Sequence, residues 1–186
     1  MKRAMTKMGR EEEELFLDTV STPIGGLLLV ADARGVLRML EFEDKPERWR
    51  SVFRRHFKNG EFQKKRDPGG VSSKLKRYFA GDIGALDEIK VDPQGTDFQH
   101  ACWKNLRKIP AGTATSYGAL AKKMGKPAAM RAVGLANGAN PVAVVVPCHR
   151  VVGADGSLTG YGGGLERKRW LLDHEARHAA KKRKAR

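Results

Sequence analysis

The stretch Asn140-Pro141-Val142-Ala143-Val144-Val145-Val146-Pro147-Cys148-His149-Arg150-Val151-Val152 decides how the rest of the chain is read. A β-branched run delivers a cysteine between a proline and a histidine, and a glycine-rich loop follows at once. A free thiol is mostly protonated at neutral pH yet intrinsically nucleophilic, so a base or a positive environment makes it useful. His149 is the adjacent residue, but neighbours in an extended segment point to opposite faces. The expected link between them is therefore a bridging water or a tight turn. A carboxylate that orients the imidazole would complete a relay. Glu175 is the first candidate and Asp173 the second, with His174 a competing imidazole nearby. One cysteine beside one histidine ordinarily reads as structural. Here the prolines, the glycine loop and the basic surroundings favour reactivity.

Downstream, residues 153–164 carry six glycines around Tyr161 and can bring backbone N–H groups close to a ligand, or simply turn. A final helix is predicted from Leu165 to about Arg177, turning Trp170, Leu171 and Leu172 towards the core. Upstream, Ser116 caps a short helix with Tyr117, Leu120, Ala121 and Met124 on one face. Gly125-Lys126-Pro127 makes a turn, and a second helix runs to about Asn137, giving a helix-turn-helix outline. That second helix is narrow, built from Ala128, Ala129, Ala132, Gly134, Ala136 and Gly138, with Arg131 its one charge. It can enter a groove or pack closely on another helix. Before it, Thr96 or Asp97 caps a helix with Phe98, Cys102, Leu106 and Ile109 as its stripe, making Cys102 a small buried hydrophobe.

The first half reads differently. Three short strands (residues 15–20, 27–31 and 36–42) are separated by close turns and favour an antiparallel meander. A helix follows from Pro46 to about Phe57, then a polar stretch, residues 58–70. A second helix has Val71, Leu75, Tyr78 and Phe79 on one face and stops at Gly81. The expected organisation is a disordered leader (1–14), an N-terminal α/β domain with its linker (15–94), a second domain (95–177) and a basic tail (178–186).

Composition sets limits on partners. At 186 residues and 40% hydrophobic, the chain can bury one good core, and no apolar run approaches membrane-spanning length. Two cysteines without ligand spacing give no structural zinc site, and no cofactor is expected. Residues 1–94 carry a net charge of +3, whereas residues 95–186 carry +12, five of those charges in the tail. A basic half with ordered motifs points to a polyanion. For the tail, a solvated surface and nucleic-acid contact both stand.

The segment Pro147-Cys148-His149-Arg150-Val151-Val152 resembles the active-site motif of the O6-alkylguanine-DNA alkyltransferases, also called methylated-DNA–protein-cysteine methyltransferases. Gly95-Thr96-Asp97-Phe98-Gln99, Ile109-Pro110-Ala111-Gly112, Ser116-Tyr117, Arg131-Ala132-Val133-Gly134, Asn140-Pro141 and Gly160-Tyr161-Gly162-Gly163 follow the family's order and spacing, and Leu171-Leu172 with Glu175 closes the series. The resemblance implies an α+β fold. A small N-terminal antiparallel-sheet, ribonuclease-H-like domain would precede a mostly helical domain with a winged helix-turn-helix.

It also implies a DNA repair protein acting once. Cys148 would take the alkyl group from guanine O6 as a stable thioether. His149 would act as base through a water, held by Glu175, and Asn140 would brace the helix-turn-helix against the active-site segment. Tyr117 would help rotate the target nucleotide, and Arg131 would fill the space it leaves. Backbone groups at Cys148, Val151 and Gly162 would read the guanine edge, with Tyr161 beside them in the loop. Gly162 is serine in some relatives. Flipping a base out costs roughly a few kcal/mol, which an inserted arginine partly offsets, and a slender helix suits the minor groove, which carries little sequence code. The implied partner is duplex DNA carrying O6-alkylguanine or O4-methylthymine. The implied protein is a monomer off the membrane, cytoplasmic or, in a eukaryote, nuclear. Two rivals remain: a non-catalytic sensor of alkylated DNA, and a cysteine hydrolase using Cys148, His149 and Glu175.

Overall fold

The computed structural model describes residues 14–57 and 61–184, the side chains of 181–184 excepted. The expected leader, apart from Glu14, and the last two residues of the basic tail lie outside the described residues.

Strands β1 (Leu15–Thr22), β2 (Gly25–Asp32) and β3 (Leu37–Phe42) form the expected antiparallel meander. Leu27 and Leu29 of β2 enter the main core, while Leu28 and Val30 enter a smaller cluster with Trp49 and Phe53 of α1 (Pro46–His56). Apolar cover on both faces is why β2 reads as a continuous hydrophobic run rather than an alternation. A fourth strand, β4 (Phe62–Lys64), pairs in parallel with β1, so the sheet order is β3-β2-β1-β4. It lies in the polar stretch, where Phe62 is its single apolar residue and a short edge strand leaves no periodic signature.

Helix α2 (Val71–Phe79) buries Val71, Leu75 and Tyr78 and ends before Gly81, which takes φ +112°. The stretch expected as a linker is packed: Ala85, Leu86 and Ile89 are buried, and Val91 bridges to Leu37. Helix α3 (Asp97–Leu106) starts with a reciprocal capping box between Thr96 and Gln99. Helix α4 (Tyr117–Lys123) is capped by Ser116, whose hydroxyl accepts from the Ala119 N–H at 3.1 Å. A 3-10 turn, Pro127–Ala129, leads into α5 (Met130–Gly138), which packs against both α3 and α4. Strands β5 (Thr115–Ser116) and β6 (Val151–Val152) pair in parallel beside them. Helix α6 (Leu165–Lys184) runs beyond the expected end near Arg177, because residues 176–184 hold alanine and long basic side chains and no glycine or proline to stop it.

The two halves share one core. Residues from Val20 to Leu171 form a single cluster of buried side chains, with Leu40 on one side and Val142 to Val146 on the other. The open edge of β3 is closed by the segment around Pro141: Leu40 N–H donates to Pro141 O at 2.9 Å, and Ala143 N–H donates back to Leu40 O at 2.8 Å. An unpaired strand edge is thereby covered, and the position of the segment is set by the N-terminal sheet.

The sequence reading of that segment as extended is corrected. Val144 has φ +68°, an outlier for a β-branched residue, and Val145 N–H donates back to Ala143 O at 2.7 Å. Cys148–Arg150 form a 3-10 turn. The β-branched run reflects burial rather than a strand, since Val142, Val144, Val145 and Val146 are all buried, and Asn140 supplements the segment's backbone bonds. Its Nδ2 donates to Val142 O and Val146 O at 3.3 and 2.9 Å, and its Oδ1 accepts from Val142 N–H at 3.0 Å.

Candidate active site

Cys148 sits in the 3-10 turn after Pro147 and is 7% exposed. Its Sγ accepts a hydrogen bond from Asn140 Nδ2 at 3.2 Å. Burial pushes the thiol upward, as does Glu41, while Asn140, Arg48 and Lys168 draw it down. The net direction is upward, so the resting thiol is protonated and its use requires a base. Burial, with Cys148 adding to it, pushes the Cys102 thiol up to about 11, and it remains the buried core residue the sequence indicated.

An imidazole is next in the chain. His149 is fully buried, and its Nε2 lies 2.9 Å from Glu175 Oε1 on α6. Burial pushes the imidazole down, and Arg150 and Lys168 add to that, while Glu175 opposes. A neutral ring facing a carboxylate carries its proton on Nε2, which leaves Nδ1 with a free lone pair. His149 Nδ1 and the Tyr161 hydroxyl are both buried without a hydrogen-bond partner among the described residues, their rings 6.4 Å apart. The 3-10 turn over Cys148–Arg150 replaces the opposed geometry of a strand.

Glu175 is the most heavily engaged group in the molecule's centre. Arg150 Nε donates to Oε2 and Arg150 Nη2 to Oε1, each at 2.8 Å. The Tyr78 hydroxyl donates to Oε1 at 2.8 Å, and Gly112 N–H to Oε2 at 3.3 Å. Burial opposes its charge, yet His149 and Arg150 outweigh burial and hold the carboxyl well below the usual range. The alternatives weighed for this role are placed elsewhere: Asp173 is exposed, and His174 Nε2 bonds to Tyr78 O at 2.8 Å.

Cys148 opens onto a cleft of about 190 Å³ lined also by Tyr117, Asn140, Tyr161 and Gly162. Arg131 does not line it; it stands exposed near the start of α5, alongside exposed Met130 and Leu135. Val151 is buried, and its carbonyl accepts from Lys168 Nζ at 2.6 Å. Lys168, fully buried, also bonds to Thr159 O and Gly160 O and so ties the glycine loop to α6.

Several residues of this site escaped the sequence reading. The N-terminal half contributes Glu41 and Arg48 to the cleft and Tyr78 to Glu175. Arg48 Nη2 lies 3.0 Å from Glu41 Oε1 and 3.4 Å from Gly138 O and Asn140 O, at the C-terminal end of α5 where carbonyls favour a cation. Arg150 and Lys168 look like surface charges in sequence. The one available signal was Arg150's position inside the cysteine motif.

Known proteins resemble this chain over most of its length. The chain is 44% identical over 163 residues to the methylated-DNA–protein-cysteine methyltransferase of Shigella flexneri, covering 87% of this chain and 95% of that one. The chain belongs to the methylated-DNA–protein-cysteine methyltransferase family. The family's models match in two pieces: the "6-O-methylguanine DNA methyltransferase, ribonuclease-like domain" over residues 15–93, and its "DNA binding domain" over residues 97–177. The Mycobacterium bovis methyltransferase is 46% identical over 168 residues, covering 87% of this chain and 92% of that one. Among solved structures, the Mycobacterium tuberculosis protein of this family in complex with DNA superimposes with a TM-score of 0.74 at 41% identity, over 88% of this chain and 94% of that one. The fold is the methyltransferase fold expected from the sequence. Among the described residues, no helix is long and apolar enough to cross a membrane.

Proposed function

We propose that this methyltransferase repairs alkylated DNA by direct reversal, with Cys148 accepting the alkyl group from guanine O6 in a single, irreversible turnover. The observation that carries this is the arrangement around one sulfur. A buried thiol, braced by Asn140, opens into a cleft and lies beside a histidine whose Nε2 is held by Glu175 while its Nδ1 is free.

The chemistry balances without a cofactor. A water between Sγ and His149 Nδ1 passes the thiol proton to the imidazole, and Glu175 stabilises the imidazolium that forms. The thiolate attacks the alkyl carbon, an S–C bond forms, and the C–O6 bond breaks. The guanine leaves with the electron pair and recovers the proton, so the net change is thiol plus O6-alkylguanine to thioether plus guanine. The Tyr117 hydroxyl, on the wall of the cleft, is placed to assist that return. A thioether has no leaving path, so the protein is consumed.

Arg131 is the residue we assign to the gap left by the flipped nucleotide, on the exposed face of α5. Gly162 and Val151 offer backbone groups to the guanine edge, with Tyr161 packed beside the base. The first half serves as scaffold and the second, from about residue 95, as the DNA-binding and acceptor part. The working place is the compartment that holds the genome, the cytoplasm or, in a eukaryote, the nucleus.

Incubation with duplex DNA containing O6-methylguanine tests this directly. One methyl, and no more than one, should appear on the Cys148 peptide. Methyl on Cys102 or repeated turnover would overturn the mechanism, and DNA binding without methyl uptake would make the protein a sensor.

A further inference from the structure

We infer that Tyr78, contributed by α2 of the N-terminal half, is a positioning residue of the alkyl-transfer relay: its hydroxyl fixes the Glu175 oxygen that holds His149. The inference rests on the function proposed above and adds a residue 97 positions away from Glu175 in sequence.

The geometry is specific. The Tyr78 hydroxyl donates to Oε1 at 2.8 Å, and that same oxygen faces His149 Nε2 at 2.9 Å and receives Arg150 Nη2 at 2.8 Å. Oε2 is occupied separately, by Arg150 Nε and the Gly112 N–H. With Tyr78 in place, Oε1 has three partners arranged around it. Without Tyr78, two remain, and the stronger is the permanently charged arginine. Oε1 then keeps its full charge beside the imidazole but loses the donor that fixes the direction in which it meets Nε2.

Tyr78 is itself closely packed. It is fully buried, its ring packs edge-on against Phe79 and His174, and its own carbonyl is held by His174 Nε2 at 2.8 Å. Burial, reinforced by Glu175, pushes its hydroxyl well above the ordinary range, so it stays a donor at every working pH. A hydrogen bond to an anion also withdraws charge from it. Tyr78 therefore lowers the pull of Glu175 on the imidazolium and helps keep His149 neutral, the form that can accept a proton. Other groups facing the relay are Arg150 and Cys148 from the same turn, Lys168 and His174 from α6, and Tyr161 from the glycine loop. None of these except Arg150 hydrogen-bonds to Glu175 among the described residues, so the donation from α2 is not duplicated.

The test measures the rate of Cys148 benzylation by free O6-benzylguanine against pH, in the full chain, for wild type, Tyr78→Phe and His149→Gln. A variant carrying 3-fluorotyrosine at position 78 keeps the shape and makes a stronger donor. Tyr78→Phe should lower the plateau rate by about tenfold, the size of one hydrogen bond to a charged partner. It should also move the acid-limb midpoint upward, and 3-fluorotyrosine should move it downward. A purely structural tyrosine would change the melting temperature and leave the midpoints unordered. Should Tyr78→Phe fail to fold, the fluorinated protein against wild type decides alone, and an unmoved midpoint overturns the inference. A wild-type protein that takes up no benzyl group at all would instead overturn the proposed function. An active wild type with a pH-dependent rate and an unchanged Tyr78→Phe profile would overturn only the role of Tyr78.

Discussion

Arg48 lies where a side chain at Gly162 would stand. A Cβ built on Gly162 would come within 2.6 Å of Arg48 Nε, so the guanidinium of α1 and the glycine of the active-site loop fit one another only because the glycine is bare. The sequence reading took Gly162 as an ordinary replacement for serine with its N–H facing a ligand. The structure adds a cause: the loop backbone is bare here so that an arginine from the other half can cover the cleft while paired with Glu41.

Gly162→Ser should therefore displace Arg48, which is the far end of a flexible chain and can move. Glu41, whose carboxyl is raised by burial despite Arg48, would lose its partner. Arg48→Ala isolates that effect and should cost about 1–3 kcal/mol, less than a fully buried pair because the arginine is 33% exposed. A folded carboxyl raised above its unfolded value is most comfortable when protonated, so the loss should be larger near neutral pH than in acid. Urea titrations of both variants at two pH values check this; equal losses would show that Glu41 stays paired elsewhere.

Asn140→Ala removes the side chain that supplements backbone pairing across the valine turns. Its four bonds, to Val142 N–H, Val142 O, Val146 O and Cys148 Sγ, are all buried. The expected cost is about 2–4 kcal/mol, from leaving buried polar groups without partners. Alkyl uptake should fall further than stability accounts for, since the sulfur loses its donor as well. Uptake at wild-type rate in a destabilised variant would limit Asn140 to a structural role.

Stability should fall towards acid, and Glu175 sets much of the slope. Burial opposes its charge, but His149 and Arg150 hold it below the ordinary 4.5, so the unfolded chain binds the extra proton. Its contribution is complete above that value and is lost as pH falls through the lower folded value. His149, lowered from 6.5 mainly by burial, has the same sign across the range just below 6.5. Glu175→Gln should cost about 3–5 kcal/mol near pH 7, because Arg150 stays buried without its counter-charge. The variant should also show a flatter fall between about pH 5 and pH 3 than wild type. Parallel unfolding curves would remove Glu175 from the acid response.

Arg131→Ala should leave the melting temperature unchanged, because the side chain is exposed. Repair of duplex should drop by at least about tenfold, since the vacated stack is no longer filled. Reaction with free O6-benzylguanine, which needs no flipping, should be preserved. Equal losses on both substrates would contradict the insertion role.

Sequence by itself determined most of the elements and the candidate thiol. Period-2 and helical patterns, the Thr96 and Ser116 caps and the glycine stops are local chemistry, and each acts within a few residues. The cysteine motif and Glu175 could likewise be picked from the chain because residue type and order carry the relay. What only the tertiary structure decided is how the two halves meet. The edge of β3 takes up the active-site segment, the valine run coils into turns whose backbone bonds Asn140 supplements, and Tyr78, Glu41 and Arg48 arrive from the first half. Burial also changes what a charge means: Arg150 and Lys168 look like solvent-facing cations in the sequence and become internal clamps once a carboxylate and carbonyls surround them. Pairings between residues so far apart in the chain leave no periodic trace, because their partners are chosen by packing in three dimensions rather than by spacing along the chain.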